Sequence, residues 1–182
     1  MTLTALLPTL RRSIPDPIAL DRWPELTRAT TSDVIVAGVS LLRVVDLFGT
    51  PCTHSAAAVI PGSDGWPSPT LRATAAVMRV EAISSTPTGV LRLAVDARVD
   101  RADAVLTETR LIGRASTAKV AAAMLVDGAR AWPLGHGLPG DVAVGDLLAF
   151  PCRGSVPATV LAHGDGGEAP GERTESWLHS LA

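Results

Sequence analysis

The residues best suited to chemistry are two cysteines and two histidines. Cys52 and His54 lie two positions apart, so on a β-strand their thiol and imidazole would share one face. His136 and Cys152 would complete a set of two cysteines and two histidines if the fold brought their segments alongside. Thiolate and imidazole together suit zinc. The spacing lacks the paired C-x-x-C and H-x-x-x-H knuckles of well-marked zinc sites, so zinc is one hypothesis among several.

The same residues have other roles open to them. Free cysteine is among the most buried residue types, and both cysteines could simply pack in the core. Cys52 could instead act as a nucleophile paired with a histidine, or form a disulfide with Cys152.

Trp66 is a candidate for ligand contact, together with Cys52 and His54. It lies in Pro61–Thr70, a loop with three prolines and two glycines. A large aromatic side chain on a surface loop is typical of a lid over a ligand or of a contact between subunits. The alternative is that Trp66 folds back over the edge of the core.

A set of charged residues could line a polar groove. Their alternation with apolar residues indicates instead the solvated face of an antiparallel sheet. The set comprises Arg92, Asp96, Arg98, Asp100, Glu108 and Arg110.

Composition argues against several classes of partner. The net charge is −2 without a basic block, which argues against nucleic-acid binding. No stretch reaches the length of about 18 apolar residues that a membrane span needs. The N-terminal apolar residues precede the arginines, the reverse of a secretory signal. We therefore expect a soluble, cytoplasmic protein without nucleic-acid or membrane partners.

The strongest local signal for structure is Ser32–Gly62. Its first β-branched run predicts a buried strand over 33–37, and a helix capped by Ser40 follows over 40–48. A second strand over 52–60 carries Cys52 and His54. This strand–helix–strand unit would be either a small crossover or a corner between two antiparallel strands.

The remaining elements are predicted to be mostly strands. Asp21 could cap a short helix near 22–29. Alternating patterns predict a strand over 116–126, for which a helix is the alternative. Further strands are expected at 72–83, 90–100 and 103–113, with two short pieces within 134–151.

The fold class that follows is α+β. An N-terminal strand–helix–strand unit would join a mostly antiparallel β-barrel or half-barrel, with a β-sandwich as the alternative. We divide the chain into an extended N-terminal arm (1–20), a single globular domain (21–163) and a flexible linker with a C-terminal tail (164–182).

Gly38–Cys52, GVSLLRVVDLFGTPC, resembles the segment before the barrel in diaminopimelate-type PLP decarboxylases, where an apolar helix also leads into a G-T-P strand. The resemblance covers 15 of 182 residues. It implies a Schiff-base lysine soon after that strand. The only lysine here is Lys119, in an unrelated setting, so we do not assign the chain to that family.

Three functional classes remain. The first is a small-molecule-binding domain with a pocket in the mouth of the barrel and Trp66 as its lid. The second is a homo-oligomeric assembly module that uses both termini. The third is an enzyme with Cys52 and His54 at its centre, with or without zinc.

Overall fold

The computed structural model describes residues 3–162, and strands are its dominant elements. The helices are short: α1 (Leu3–Leu6), α2 (Leu41–Phe48) and α3 (Ala158–Leu161). The strands are β1 (Arg28–Ala29), β2 (Val34–Val36), β3 (Val39–Ser40), β4 (Cys52–Val59), β5 (Pro67–Ser85), β6 (Leu91–Val95), β7 (Arg110–Ile112), β8 (Val120–Asp127), β9 (Arg130–Pro139) and β10 (Leu147–Arg153).

Seven strands form a curled half-barrel in the order β7-β10-β5-β6-β8-β9, with β4 also paired to β5. Neighbouring strands are antiparallel except β6 and β8, which are parallel. β5 has 19 residues. Its first part pairs with both β4 and β10, and its last part pairs with β6. The half-barrel is therefore organised around this one strand.

β1, β2 and β3 form a small antiparallel sheet of their own. The helix α2 follows it and begins where the sequence predicts, because the Ser40 hydroxyl accepts a hydrogen bond from the backbone N–H of Arg43 at 3.1 Å. Gly49 ends the helix with φ +74°, a conformation that glycine adopts readily. Since β2 and β4 lie in different sheets, α2 links two sheets instead of forming a crossover within one.

Two apolar cores lie on opposite faces of β5 and β10. The inner core fills the half-barrel, with Met78, Leu125 and Phe150 among its buried residues. The outer core lies between the half-barrel, the small sheet and α2, and it includes Trp23 and Val77. Because both faces of β5 are covered here, its central residues form a nearly continuous apolar run, as buried strands do.

The predicted helix over 22–29 is wrong. The chain forms a 3-10 turn at Leu20–Arg22 and then runs extended into β1. The backbone N–H of Glu25 donates to the carbonyl of Ala57 at 2.8 Å, and Trp23 is fully buried. Pairing with β4 and burial of Trp23 outweigh the weak helix signal at this position.

The segments after β6 are confirmed in part. The strand chosen for 116–126 is present as β8. The strand predicted over 103–113 is shorter, because a 3-10 turn at Leu106–Glu108 precedes β7. The prediction that Glu108 and Arg110 lie on a solvated face is wrong. Glu108 is buried and Arg110 is half-buried, since residues 16–23 cover them.

Residues 3–20, which we call the arm, contain α1 and a 3-10 turn at Pro8–Arg12. The arm is hydrogen-bonded to the body, as described below. The division into arm, domain and tail stays a prediction, and the predicted linker and tail lie outside the described residues. No helix in the described part of the chain is both long enough and apolar enough to cross a membrane.

Candidate functional site

A cavity of about 710 Å³ lies at the seam of the half-barrel, and we call it the seam cavity. β7 and β9 are the two ends of the strand order and are not paired by hydrogen bonds. The turn at Leu106–Glu108 packs against β9 instead. The walls of the cavity come from the arm, from 108–120 and from 135–139, with Thr30 and Thr31 at one side.

A bulge in β9 shapes one wall. Ala121 pairs with Leu138 and Ala123 with Leu134, so Gly135, His136 and Gly137 lie opposite a single residue of β8. Both glycines are needed for close approach. A Cβ at Gly137 would meet the carbonyl oxygen of Ala121, and a Cβ at Gly135 would lie 2.8 Å from Thr107 Cγ2. The backbone therefore presents the exposed His136 side chain at the cavity.

The arm is attached to the body through two arginines. Arg11 Nη1 donates to the carbonyl of Ala118 at 3.1 Å, and its Nε lies 3.1 Å from a carboxylate oxygen of Asp16. From the other side, Arg110 donates to the carbonyls of Asp16 at 3.1 Å and Pro17 at 2.6 Å. These contacts hold the arm as a wall of the cavity.

A buried carboxylate lies behind this wall. Glu108 Oε2 accepts hydrogen bonds from Trp23 Nε1 and from the backbone N–H of Ala19, both at 3.3 Å. Arg22 pairs with the same carboxylate at 3.7 Å. The Arg110 guanidinium lies 5.7 Å from the centroid of the Trp23 ring, within the range of a cation–π contact. Burial lowers the pKa of Arg110, and the negative charges of Glu108 and Asp16 oppose that effect.

A second ionic cluster borders the cavity. Arg114 donates to Asp146 at 2.6 Å and to Asp141 at 3.2 Å, and the hydrogen bond to Asp146 is the largest cause of the raised pKa of Arg114. The Ser116 hydroxyl donates to Asp141 at 2.5 Å. Partial burial alone would raise the pKa of Asp141, but the hydrogen bonds from Ser116 and Arg114 outweigh it, and the pKa is lowered.

Two polar atoms in the cavity wall have no hydrogen-bond partner among the described residues. They are the Thr109 hydroxyl oxygen and Arg110 Nε, and both are buried. Lys119 also lines the cavity. Its exposed side chain makes no hydrogen bond or ion pair within residues 3–162, and the same holds for His136. Lys119 and His136 are therefore the unpartnered polar side chains that face the cavity, whereas the two buried atoms have almost no accessible surface.

The four residues predicted to hold zinc do not converge. Cys52 is opposite Val77 and belongs to the outer core, whereas Cys152 is opposite Thr74 and belongs to the inner core. The two cysteines thus lie on opposite faces of the sheet, and both are free. His54 is opposite Ala75, on the face of Cys52. No group of three or more His, Cys, Asp or Glu side chains that could hold a metal is found among the residues described.

The thiols are poorly suited to nucleophilic chemistry. Burial, with a smaller effect from Asp96, raises the pKa of Cys52 to about 11. Burial, with a smaller effect from Asp103, raises the pKa of Cys152 to about 12. A thiol must lose its proton to attack, so a raised pKa keeps both side chains in the unreactive form.

The predicted ligand contacts lie away from the seam cavity. Cys52, His54 and Trp66 are not among its lining residues, and Trp66 is 73% exposed. Of the predicted site residues, His136 does line it. The sequence analysis missed Thr109, Arg114 and Lys119, and it considered Arg110 for a polar groove but placed it on a solvated face. Two signals could have found this wall: the single lysine of the chain, and the Gly135-His136-Gly137 triplet inside a strand, where glycine often marks a bulge or close approach.

Comparison with models of known protein families finds no match for this chain, and no curated protein is significantly similar to it.

Proposed function

We propose that this chain is a small-molecule-binding domain whose ligand occupies the seam cavity. The volume of about 710 Å³ is in the range of about 300–1,000 Å³ typical of ligand pockets. The observation that carries the proposal is the pair of exposed side chains in the cavity wall, Lys119 and His136, that make no hydrogen bond or ion pair with any described residue. A few polar groups on a largely apolar wall are typical of ligand pockets, and a bound molecule can supply hydrogen-bond partners to both side chains.

The proposal moves the ligand site from the mouth of the barrel to its seam. The interior of the half-barrel is filled by the inner core, in which Met78, Leu148 and Phe150 are fully buried. A closely packed interior of this kind has no room for a ligand. The seam has room because β7 and β9 are not paired there.

The experiment is native mass spectrometry of freshly purified protein, with a matched pair of variants. Val120 lines the seam cavity and is 39% exposed, whereas Val160 lies outside it and is 38% exposed. We expect a bound mass in the wild-type protein and in Val160→Trp. In Val120→Trp, where the indole fills space in the cavity, that mass should be lost.

The proposal fails if the wild-type protein carries no bound mass and no compound from a metabolite library raises its melting temperature. It also fails if both tryptophan variants retain the same bound mass, because the ligand would then lie elsewhere.

A second candidate function is assembly into a homo-oligomer. Trp66 is 73% exposed and Ile60 is 43% exposed at the connection between β4 and β5. They are neighbours, since the backbone N–H of Ile60 donates to the carbonyl of Trp66 at 2.9 Å. Exposed apolar side chains that lie together are typical of contacts between subunits. Light scattering over a range of concentrations tests this idea, with Trp66→Ser expected to shift any dimer toward the monomer.

A further inference from the structure

We infer that the molecule bound in the seam cavity is a small organic anion, a carboxylate or a phosphate ester with an uncharged body. This inference rests on the proposed function and names the class of ligand. It follows from the balance between donors and acceptors in the cavity wall.

The carboxylates of the wall are already engaged. Asp16 pairs with Arg11, and Glu108 accepts hydrogen bonds from Ala19 and Trp23. Each already has a cationic neighbour, Arg11 for Asp16 and Arg22 for Glu108, so neither offers an unpaired negative charge to a ligand. A positively charged ligand would therefore find its acceptors taken, and it would also meet the guanidinium groups of the same wall.

The donors are in surplus. Among the cations that line the cavity, Arg11 is paired with Asp16 and Arg114 with Asp141 and Asp146, whereas Lys119 has no carboxylate partner among the described residues. Lys119 and His136 have no partner within the described chain, and both side chains are exposed at the cavity. A lysine ammonium and a guanidinium N–H can only donate. A ligand that satisfies them must bring acceptors, and ionised oxygens are the strongest acceptors for charged donors.

The rest of the wall limits the body of the ligand. Leu111, Val120 and Leu138 contribute apolar surface, and Leu6, Pro8 and Pro15 do so from the arm. Apolar surface favours an uncharged body over a second charged group. The volume of about 710 Å³ suits a metabolite. The acidic group of the ligand would then face Lys119 and His136, with its body toward the arm.

Four probes with a common phenyl body test the inference: phenylacetate, phenyl phosphate, 2-phenylethanol and 2-phenylethylamine. Each is titrated into ¹⁵N-labelled full-length protein, and amide shifts identify the site. We expect the two anions to shift amides at 116–120 and 135–138 and to bind at least about tenfold more tightly than the alcohol or the amine, because charged hydrogen bonds exceed neutral ones. The stronger of the two anions identifies the acidic group.

Variants of Lys119 show whether its charge is responsible. Lys119→Gln should weaken anion binding about tenfold, and Lys119→Arg should retain it, because one charged hydrogen bond is worth about that factor. Arg92→Gln is the matched control, since Arg92 is exposed on β6 and lies outside the cavity. Raising the salt concentration should weaken the anions and leave 2-phenylethanol unchanged.

Three results overturn the inference. If 2-phenylethanol binds in the cavity as tightly as the anions, or if Lys119→Gln leaves anion binding unchanged, the ligand class is wrong although the cavity remains a binding site. If no probe shifts these amides at 10 mM, roughly the weak limit of specific binding, the anion class is also wrong. The native mass experiment on Val120→Trp then decides separately whether the cavity binds any ligand.

Discussion

The hydrogen bonds of Glu108 can be tested directly as contacts that hold the arm against the body. Its carboxylate accepts two hydrogen bonds at 3.3 Å, from the Trp23 indole and from the Ala19 backbone. Hydrogen bonds to charged groups contribute about 1.5–3 kcal/mol each. In Glu108→Gln one neutral oxygen remains to accept, and the amide NH₂ faces donors. We therefore expect a loss of about 2–3 kcal/mol in the free energy of unfolding.

The assay is denaturant unfolding followed by circular dichroism, with thermal melts alongside. For a chain of this size, about 1 kcal/mol corresponds to 2–4 °C in melting temperature. Glu108→Gln should thus melt about 4–12 °C below the wild type. Glu81→Gln is the matched control, because Glu81 is exposed and makes no side-chain hydrogen bond to any described residue. If the two variants are equally stable, the network around Glu108 does not hold Trp23 and the arm, and our reasoning is refuted.

Three further predictions concern the bulge, the thiols and the acidic cluster. In denaturant unfolding, Gly137→Ala should destabilise the fold by about 2 kcal/mol more than Gly128→Ala. Both glycines have positive φ, but an added Cβ collides with its surroundings only at Gly137. Equal losses would contradict the bulge geometry. The free energy of unfolding should fall as pH rises from about 9 to 11, because the raised pKa of Cys52 keeps its thiol protonated in the folded chain, while the unfolded thiol ionises near 9.0. Cys152 contributes in the same direction because its pKa is also raised, so Cys52→Ala should reduce this alkaline loss without abolishing it, and an unchanged slope would exclude the Cys52 thiol as a source. The folded chain holds the pKa of Asp141 below its usual value of 3.8, so this carboxylate stabilises the fold at pH values above 3.8 and ceases to do so as the pH falls through its folded-state pKa. Acid unfolding of Asp141→Asn should therefore depend less on pH than acid unfolding of the wild type. Identical acid profiles would argue against this contribution.

The sequence predicted those elements whose causes are local. Ser40 and Gly49 determine the bounds of α2 through a cap and a positive φ, and both effects depend on adjacent residues only. The strand at 120–127 and the hairpin of β5 and β6 follow from alternation and an intervening turn. A β-rich half-barrel was therefore within reach of pattern reasoning.

The seam cavity depends on contacts that no local pattern contains. Arg11 meets Ala118 across more than a hundred residues, and Arg110 meets Pro17 across nearly as many. Alternation placed Glu108 and Arg110 on a solvated face, since nothing nearby in the sequence shows that the arm would cover them. The metal hypothesis had the same weakness. Cys52 and Cys152 do lie on strands that flank β5, but the parity of their register puts them on opposite faces.

The length of β5 has a consequence for how the molecule unfolds. Its first part contributes Val77 to the outer core, while Val80, where it turns toward β6, belongs to the inner core. Because β5 contributes buried residues to both cores, unfolding of one core would remove part of the other. We therefore expect all-or-none cooperativity, with one transition reported alike by Trp23 in the outer core and Trp132 against the inner one. A destabilising substitution in either core should therefore lower the stability of the whole half-barrel.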